Sequence, residues 1–435
     1  MSFTRRTLVT FLSQSVGFVL VMATSVIVAR VLGPDGKGVY SIALLVPSLL
    51  TAFSYLGVGP ATCFYIGKRA FPLPDILGNN IISSACLGII AMVIGALIIT
   101  WWGSSLFPGV EMRYLFLGLP LIPLQLFFGF ITFIFLGLGD FKWYNFFPLF
   151  RAVLLLAAFG IFFLGFRFGV AAGIIAEILS FVISTIILFV VVKRTTGGIS
   201  WRINKEYLKS SYSYGLKVHL ANMLTFLHYR VDLFLINIFM NPATVGLYSL
   251  SAGMSERIQS IADAAGVVLF SKTASEKSED AIKGFTPFLL RTILIITMSA
   301  AAVLFFLGAW LIPVLYSELF IASVKPFRIL LISAVALSGS YILESDLKGR
   351  GKPLYPSYAV AGGLFMNIIL NLVLIPRFGI VGAAWSTTIS YSLSFLILLG
   401  IYRKISENSL GNILLIRYQD LQFYKMLLKR IISRR

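Results

Sequence analysis

The sequence predicts an all-α polytopic membrane protein. About twelve transmembrane helices are expected, in two six-helix bundles related by pseudo-two-fold symmetry around a central cavity. Three observations support this fold class: the composition, a succession of apolar runs and an internal repeat. Of the 435 residues, 58% are hydrophobic and 12% are charged, and the mean hydropathy is +0.92. A chain with so few polar residues cannot cover a water-soluble globule of this length.

The apolar runs follow one another with short connections. Each is long enough to cross a hydrocarbon core of about 30 Å, which takes roughly 20 residues. The predicted spans are 8–28, 38–60, 79–100, 113–137, 144–164, 169–192, 212–238, 244–270, 285–312, 326–347, 354–375 and 380–402.

The repeat relates the two halves of the chain. Residues 139–173 align without a gap to residues 349–383, an offset of 210 residues. A second echo has an offset of 208 residues, where Gly38-Val39-Tyr40-Ser41 returns as Gly246-Leu247-Tyr248-Ser249. Duplication of a whole bundle is typical of membrane transporters. We therefore expect an N-terminal bundle at 1–200, a C-terminal bundle at 201–402 and a basic tail at 403–435.

Positive charge indicates the orientation of the chain. The net charge is +19, and most lysines and arginines fall in segments that are cytoplasmic if the N-terminus is cytoplasmic. By the positive-inside rule, both termini are predicted to lie in the cytoplasm. The protein is expected in the cell membrane, the inner or plasma membrane. In the tail, apolar and basic residues alternate at helical spacing, which fits a helix on an anionic membrane surface or simply basic flanks that set topology. No nucleic acid is needed to explain the charge.

Equipment for soluble catalysis is sparse. The chain has two histidines and two cysteines, no phosphate-cradling Gly-Lys-Ser loop and no large extramembrane segment. We therefore expect no cofactor, no metal site and no covalent chemistry. Composition favours a transporter, although it leaves a membrane-embedded glycan-processing enzyme open.

Charged residues deep in the spans are the candidates for function, because each costs a few kcal/mol at the bilayer centre unless it is paired or hydrated. Arg230 is expected to share one helix face with His219 and Asn222, since eleven residues at about 100° each bring position 230 back over position 219. Arg151 lies in the other half. The forked guanidinium binds phosphate oxygens bidentately, so these four residues are the predicted substrate contacts.

Three carboxylates are candidates for coupling transport to H⁺ or Na⁺: Glu177, Glu256 and Asp263. Glu256 and Asp263 follow Ser249 at intervals of seven residues and should form a polar stripe on one helix. Structural ion pairs explain the same residues equally well, with Arg151 pairing with Glu177. Asp232 should point toward a neighbouring helix.

The connection between the first two spans is a glycine-rich turn. Glycines tolerate backbone angles that other residues resist, and a proline sets the reversal, so two helices can turn tightly at the outer surface. The turn reads Leu32-Gly33-Pro34-Asp35-Gly36. Arg30 and Tyr40 are expected beside it, at the level of the outer headgroups.

This turn, extended from Ala29 to Ser41, resembles the opening signature of the polysaccharide-transport family of oligosaccharide flippases. That family belongs to the multidrug/oligosaccharidyl-lipid/polysaccharide exporter superfamily. Two further stretches match in the family's order, so that the resemblance covers nearly the whole chain. They are Tyr229-Arg230-Val231-Asp232-Leu233, continuing at 241–249, and Asn371 to Ala384 with its Arg377-Phe378-Gly379 turn.

The resemblance implies a flippase that moves an undecaprenyl-diphosphate-linked oligosaccharide from the cytoplasmic to the outer leaflet by alternating access. Such a protein serves O-antigen, capsule or exopolysaccharide assembly. Its partners would be the lipid-linked oligosaccharide, membrane lipids and a polysaccharide polymerase machinery. A cation-coupled exporter of drugs or other small molecules with the same fold is the alternative.

Overall fold

The computed structural model describes residues 3–165, 169–275, 279–418 and 420. Within these ranges the regular structure is helical, and the all-α polytopic class is confirmed. The first half contains α1 (Phe3–Ser54), α2 (Val58–Gly67), α3 (Leu73–Leu106), α4 (Met112–Gly118), α5 (Leu121–Gly137), α6 (Phe141–Phe159) and α7 (Val170–Thr195). The second half contains α8 (Lys205–Phe239), α9 (Pro242–Glu256), α10 (Gln259–Ser275), α11 (Glu279–Tyr316), α12 (Val324–Gly349), α13 (Leu354–Ser406) and α14 (Leu410–Leu414).

These helices overlap all twelve predicted spans. Eight helical segments of the described chain are long and apolar enough to cross a membrane. Two of these segments, in α1 and α13, each contain two predicted spans that meet at a glycine with positive φ. The backbone of Gly33 has φ 65° and that of Gly379 has φ 59°. The glycine turns predicted at these positions are therefore confirmed, because a residue with a Cβ rarely adopts such angles.

Three predicted spans are interrupted rather than continuous. The second span breaks between α1 and α2 at Gly57, whose φ is 68°, and the fourth breaks before Pro120, between α4 and α5. The eighth breaks after α9, where Ile258 N–H donates to the Ser255 carbonyl and Ser260 N–H donates to the Arg257 carbonyl. These i→i+3 bonds form a tighter turn than the α-helix. Hydropathy does not detect such breaks because the residues around them remain apolar.

By proximity of the backbone, the chain divides into two compact units. The first consists of Met1–Ser251, Trp310–Val324 and Asn371–Ala383, and the second of Ala252–Ala309, Lys325–Leu370 and Ala384–Arg435. The first unit draws on both halves of the sequence, whereas the second lies entirely within the second half. The bundles at 1–200 and 201–402 concern internal symmetry, and they stay a prediction. Arg167 and Phe168 of the first Arg-Phe-Gly turn lie outside the described residues.

The described part of the tail packs against α11 and α13. Ile413 of α14 is fully buried in an apolar cluster with Leu290 of α11 and Leu398 of α13. Beside this cluster Arg291 donates from Nε to Asp420 Oδ2 at 2.8 Å and from Nη2 to Oδ1 at 2.9 Å. A further Arg291 N–H donates to the carbonyl of Asn412. Residues 409–418 and Asp420 therefore form a docked segment, called the 409–420 segment below, while residues 419 and 421–435 of the predicted tail lie outside the described residues.

Candidate functional site

A charged network in the first unit joins three helices. Arg151 of α6 donates from Nη1 to Oε2 of Glu177 on α7 at 3.2 Å, and its guanidinium lies 4.4 Å from the centre of the Phe181 ring. The hydroxyl of Tyr40, on α1, donates to Glu177 Oε1 at 3.0 Å. The Glu177 side chain is 14% exposed and that of Arg151 is 25% exposed. Of the two alternatives for Arg151, the structure contains the ion pair with Glu177, and a substrate contact stays a prediction.

Tyr40 is buried, so its ring packs inside the protein rather than against lipid, and its level in the membrane stays a prediction. Its hydroxyl has an intramembrane acceptor in Glu177, and a buried tyrosine hydroxyl needs such a partner. The exposed Arg30 instead donates to the backbone carbonyls of Val314 and Leu315.

The second copy of the motif makes an analogous contact. Tyr248, which corresponds to Tyr40 in the repeat, donates its hydroxyl to Asp232 Oδ2 at 2.6 Å. Asp232 is buried on α8, and its Oδ1 also accepts from the backbone N–H of Leu233 at 2.8 Å. The expectation that Asp232 points toward a neighbouring helix is confirmed. In both halves, then, the tyrosine of the repeated motif holds a carboxylate on another helix.

The glycines of the same motif bring two helices into backbone contact. A Cβ at Gly38 would lie 1.6 Å from the carbonyl oxygen of Pro242, and one at Gly246 would lie 2.1 Å from that of Pro34. One turn further on, the hydroxyls of Ser41 and Ser249 are 3.3 Å apart. Only glycine fits at such a crossing, since any side chain would collide with the opposite backbone. We call this contact the motif crossing.

The predicted substrate contacts on α8 occupy different surroundings. The ring of His219 is buried and hydrogen-bonds the backbone of Phe53, whereas Asn222 is exposed. Arg230 is half-buried, and its Nη1 donates to the carbonyl of Tyr229 at 3.2 Å. Because His219 is buried and hydrogen-bonded to the backbone, its main role is in helix packing. Arg230 and Asn222 are the two of this set that retain exposed surface.

The coupling candidates of the second unit do not form one continuous stripe. The tight turn at Arg257 and Ile258 separates Glu256, the last residue of α9, from Asp263 on α10. The predicted seven-residue register on one helix is therefore wrong. Asp263 is half-buried beside Tyr341 of α12, and its Oδ1 is buried without a hydrogen-bond partner among the described residues.

Two buried polar residues were missed at the level of sequence. Lys37 directly follows the glycine-rich turn, where an exposed loop residue would be expected, but it lies inside α1 with only 7% of its surface exposed, and no described carboxylate is within ion-pair distance. Asn237 of α8 is fully buried, and neither amide atom has a partner in the described chain. In the sequence, Asn237 is a single amide among apolar residues, and nothing else there indicates a polar site. Within the described ranges no group of three or more His, Cys, Asp and Glu side chains could hold a metal ion.

Comparison with known proteins identifies the family. The family model described as "Polysaccharide biosynthesis protein" matches residues 27–325. The chain belongs to this family. The match runs through the charged network, the motif crossing and Arg230, and it confirms the resemblance to polysaccharide-transport proteins.

Similarity to individual proteins is weaker. Two uncharacterized membrane proteins of Methanocaldococcus jannaschii are 28% identical over 211 residues and 26% identical over 215 residues. The first match covers 47% of this chain and 48% of the relative, and the second covers 48% and 42%. The chain thus spans about half the length of the curated relatives it matches.

Several solved structures share the fold. The lipid II flippase MurJ, in an inward closed conformation, matches with a TM-score of 0.75 at 16% identity. The match covers 93% of this chain and 91% of the MurJ chain. An inward-facing multidrug resistance MATE transporter of the MOP superfamily has a TM-score of 0.72 at 16% identity, with 90% and 94% covered. A MOP superfamily transporter from Pyrococcus furiosus has 0.67 at 17% identity, with 93% and 95% covered. These likenesses show the fold.

Proposed function

We propose that this protein is a flippase that translocates an undecaprenyl-diphosphate-linked oligosaccharide from the cytoplasmic to the outer leaflet of the inner membrane. The match to the polysaccharide biosynthesis family carries the proposal, because it covers most of the chain on a fold shared with a lipid flippase. The product would feed surface polysaccharide assembly, O-antigen, capsule or exopolysaccharide, and a polymerase would consume it. Both termini would lie in the cytoplasm.

Arg230 is the residue proposed to hold the diphosphate. It lies far inside α8, a predicted spanning helix, where a cation is costly unless an anion or water reaches it. The residue is partly exposed, and a guanidinium can present a planar fork to phosphate oxygens, which bind such a fork bidentately. Asn222, two turns before it on the same side of α8, has an exposed amide for sugar hydroxyls. His219 and Arg151 would act by orienting their helices.

Coupling to H⁺ or Na⁺ is proposed for Asp263 rather than for Glu177. Glu177 already accepts from both Arg151 and Tyr40, so its charge is compensated. Asp263 has a buried oxygen with no partner in the described chain and is available to bind a proton or a sodium ion. Glu256, at the end of α9, remains the second candidate.

The experiment is complementation of a strain that lacks the gene. The flippase proposal requires that deletion abolish the surface polymer and leave the lipid-linked precursor in the cytoplasmic leaflet. A strain that keeps its polymer but becomes sensitive to drugs would instead identify a small-molecule exporter.

Variants of Arg230 test the phosphate contact in the same strain. Arg230→Lys retains the charge and loses the fork, so partial activity is expected, whereas Arg230→Ala and Arg230→Gln should be nearly inactive at unchanged protein levels. Arg113→Gln is the matched control, because Arg113 is exposed and its contacts are with the adjacent residues Glu111, at 2.7 Å, and Tyr114, at 3.1 Å. Full surface polymer from normally expressed Arg230→Ala would exclude the phosphate-binding role.

A further inference from the structure

A cavity of about 610 Å³ opens on the second unit, between α11, α12 and α13. Its walls are apolar apart from Arg328 and Ser392. Several of its side chains are strongly exposed, among them Phe306 at 76% and Met298 at 58%. In a membrane protein such exposed apolar side chains face lipid, so the cavity is a groove open to the hydrocarbon core.

The groove is about one leaflet long. Along α11 it runs from Leu294 to Phe306, and twelve residues at 1.5 Å each give roughly 18 Å, a little more than half of a 30 Å core. Arg328 is the fifth residue of α12, so it lies within about 6 Å of the start of that helix. In the orientation proposed above, that end faces the outer surface. On α12 the groove therefore begins near the outer end, at Arg328, and on α11 it reaches Leu294, about 7 Å past the middle of the predicted span 285–312.

Arg328 is held ready for an anion. Its Nε donates to the carbonyl of Phe305 at 2.9 Å, and its guanidinium lies 4.9 Å from the centre of the Phe305 ring. These contacts orient the guanidinium. Neither terminal nitrogen, Nη1 or Nη2, is used by them, so both can donate to an anion. No described carboxylate lies within ion-pair distance of Arg328. Lys325, which is exposed, lies one turn earlier on the same side of α12 and adds a second positive charge at the mouth of the groove.

We propose that this groove binds one anionic phospholipid of the outer leaflet. Its phosphate pairs with Arg328, and one acyl chain lies between α11, α12 and α13. The length of one leaflet and the position of the charge at the headgroup level fit a phospholipid, whose chain ends near the midplane. The inference depends on the proposed orientation, but not on which molecule is transported.

Photolabelling of the full-length protein in nanodiscs tests the site. The discs contain phosphatidylcholine with a small fraction of phosphatidylglycerol that carries a diazirine in its acyl chain. Labels should concentrate on peptides that contain Met298 to Phe306 and Arg328 to Ala336. Unlabelled phosphatidylglycerol should compete better than unlabelled phosphatidylcholine, since the phosphatidylglycerol phosphate has no internal counter-charge.

Variants separate the headgroup contact from the groove itself. Arg328→Gln should lower labelling of both peptides about tenfold or more, the scale expected for loss of a hydrogen bond to a charged group. Ala336→Phe fills the groove and should lower it while Arg328 stays intact. Arg113→Gln, at an exposed outer helix end, should leave labelling unchanged. Thermal melting of each purified variant verifies that it is folded.

Three results would overturn the proposal. They are labelling spread evenly over lipid-facing helices, labelling that Arg328→Gln does not change, and labelling by a photoactivatable polyprenyl phosphate but not by phosphatidylglycerol. The last result would assign the groove to a prenyl carrier. Complementation with Arg328→Gln is scored separately, so failure of the lipid site is distinguishable from failure of the flippase proposal.

Discussion

Tyr40 and Tyr248 show how single residues organise the charges inside the membrane. Each hydroxyl donates to a carboxylate on another helix, Glu177 or Asp232, and so fixes a group that would be costly to leave unpartnered. The repeat identifies the two tyrosines as equivalent from sequence alone. Their partners could not be predicted, because they arise from helix packing and do not occupy matching positions in the repeat.

The Arg151–Glu177 pair should stabilise the fold mainly because each buried polar group then has a hydrogen-bond partner, and less because the two charges attract each other. Glu177→Ala leaves the guanidinium unpaired and removes the acceptor of Tyr40, so a loss of about 1–3 kcal/mol is expected. Glu177→Gln retains an acceptor and should cost less. Thermal unfolding of purified protein in detergent measures both.

The double variant Arg151→Gln with Glu177→Gln is the control. It should melt above Arg151→Gln alone, because it removes the uncompensated buried charge. Identical melting temperatures for the wild type and Glu177→Ala would show that the pair contributes nothing measurable.

The docked segment at 409–420 should resist acid. Burial alone would raise the pKa of the Asp420 carboxyl, but hydrogen bonds from Arg291 and from the Arg417 backbone, with the charges of both arginines, lower that pKa below its usual value. A lowered pKa in the folded state contributes stability that is complete above the pKa of a free aspartate, about 3.9, and is lost as pH falls through the lowered value. Limited proteolysis of residues 409–420 should therefore stay slow from neutral pH down to about pH 4.

Asp420→Asn should release the segment at neutral pH. Glu407→Gln is the control, since Glu407 is 78% exposed and its pair with Lys283 is a surface contact. Equal proteolysis rates for Asp420→Asn and the wild type would refute the role of the buried pair.

At the scale of elements, the motif crossing makes a sharp prediction about glycine. Gly246→Ala places a Cβ against the Pro34 carbonyl and must push the two helices apart, whereas a Cβ at Gly253, seven residues further, meets nothing within 4 Å. We expect Gly246→Ala to lower the melting temperature and impair complementation. Gly253→Ala should be neutral or slightly stabilising, as alanine usually is in a helix.

Comparable behaviour of Gly246→Ala and Gly253→Ala would mean that the crossing is not close in the protein as it functions. Gly38→Ala tests the same contact from the opposite helix. Its Cβ would lie 1.6 Å from the Pro242 carbonyl oxygen, closer than the Cβ of Gly246→Ala to the Pro34 carbonyl oxygen.

The sequence correctly predicted the helices and turns whose positions depend on local residue chemistry. Apolar runs located the spans, and the glycines at 33 and 379 located two helix reversals. It failed where tertiary contacts decide. The breaks at Gly57, Pro120 and Arg257 lie inside apolar runs, and the Arg291 to Asp420 pair joins residues 129 positions apart. The burial of Lys37 could not be predicted for the same reason, because a glycine-rich turn looks like an exposed loop until the helix that follows it is seen to be packed.

At the scale of the whole molecule, orientation is the property to test. Reporter fusions at Lys205 and Lys352 should report the cytoplasm, because basic residues cluster around both positions. Fusions at Glu111 and Glu318 should report the outside. Protein amounts are compared by immunoblotting, so that a silent reporter is not confused with an unstable fusion. An external signal at Lys205 would break the twelve-span topology, and with it the outer-leaflet position of Arg328.

The motif crossing has a consequence for the origin of the chain. Its contacts are reciprocal: Gly38 meets Pro242 and Gly246 meets Pro34, while the two serines, each at the same place in its copy, meet one another. Such self-complementary contacts are those that two identical subunits make across a two-fold axis. Contacts of this kind are expected if the chain arose by fusion of two half-length chains that paired as a homodimer. Once fused, the two copies could diverge, so that one tyrosine now holds a glutamate and the other an aspartate.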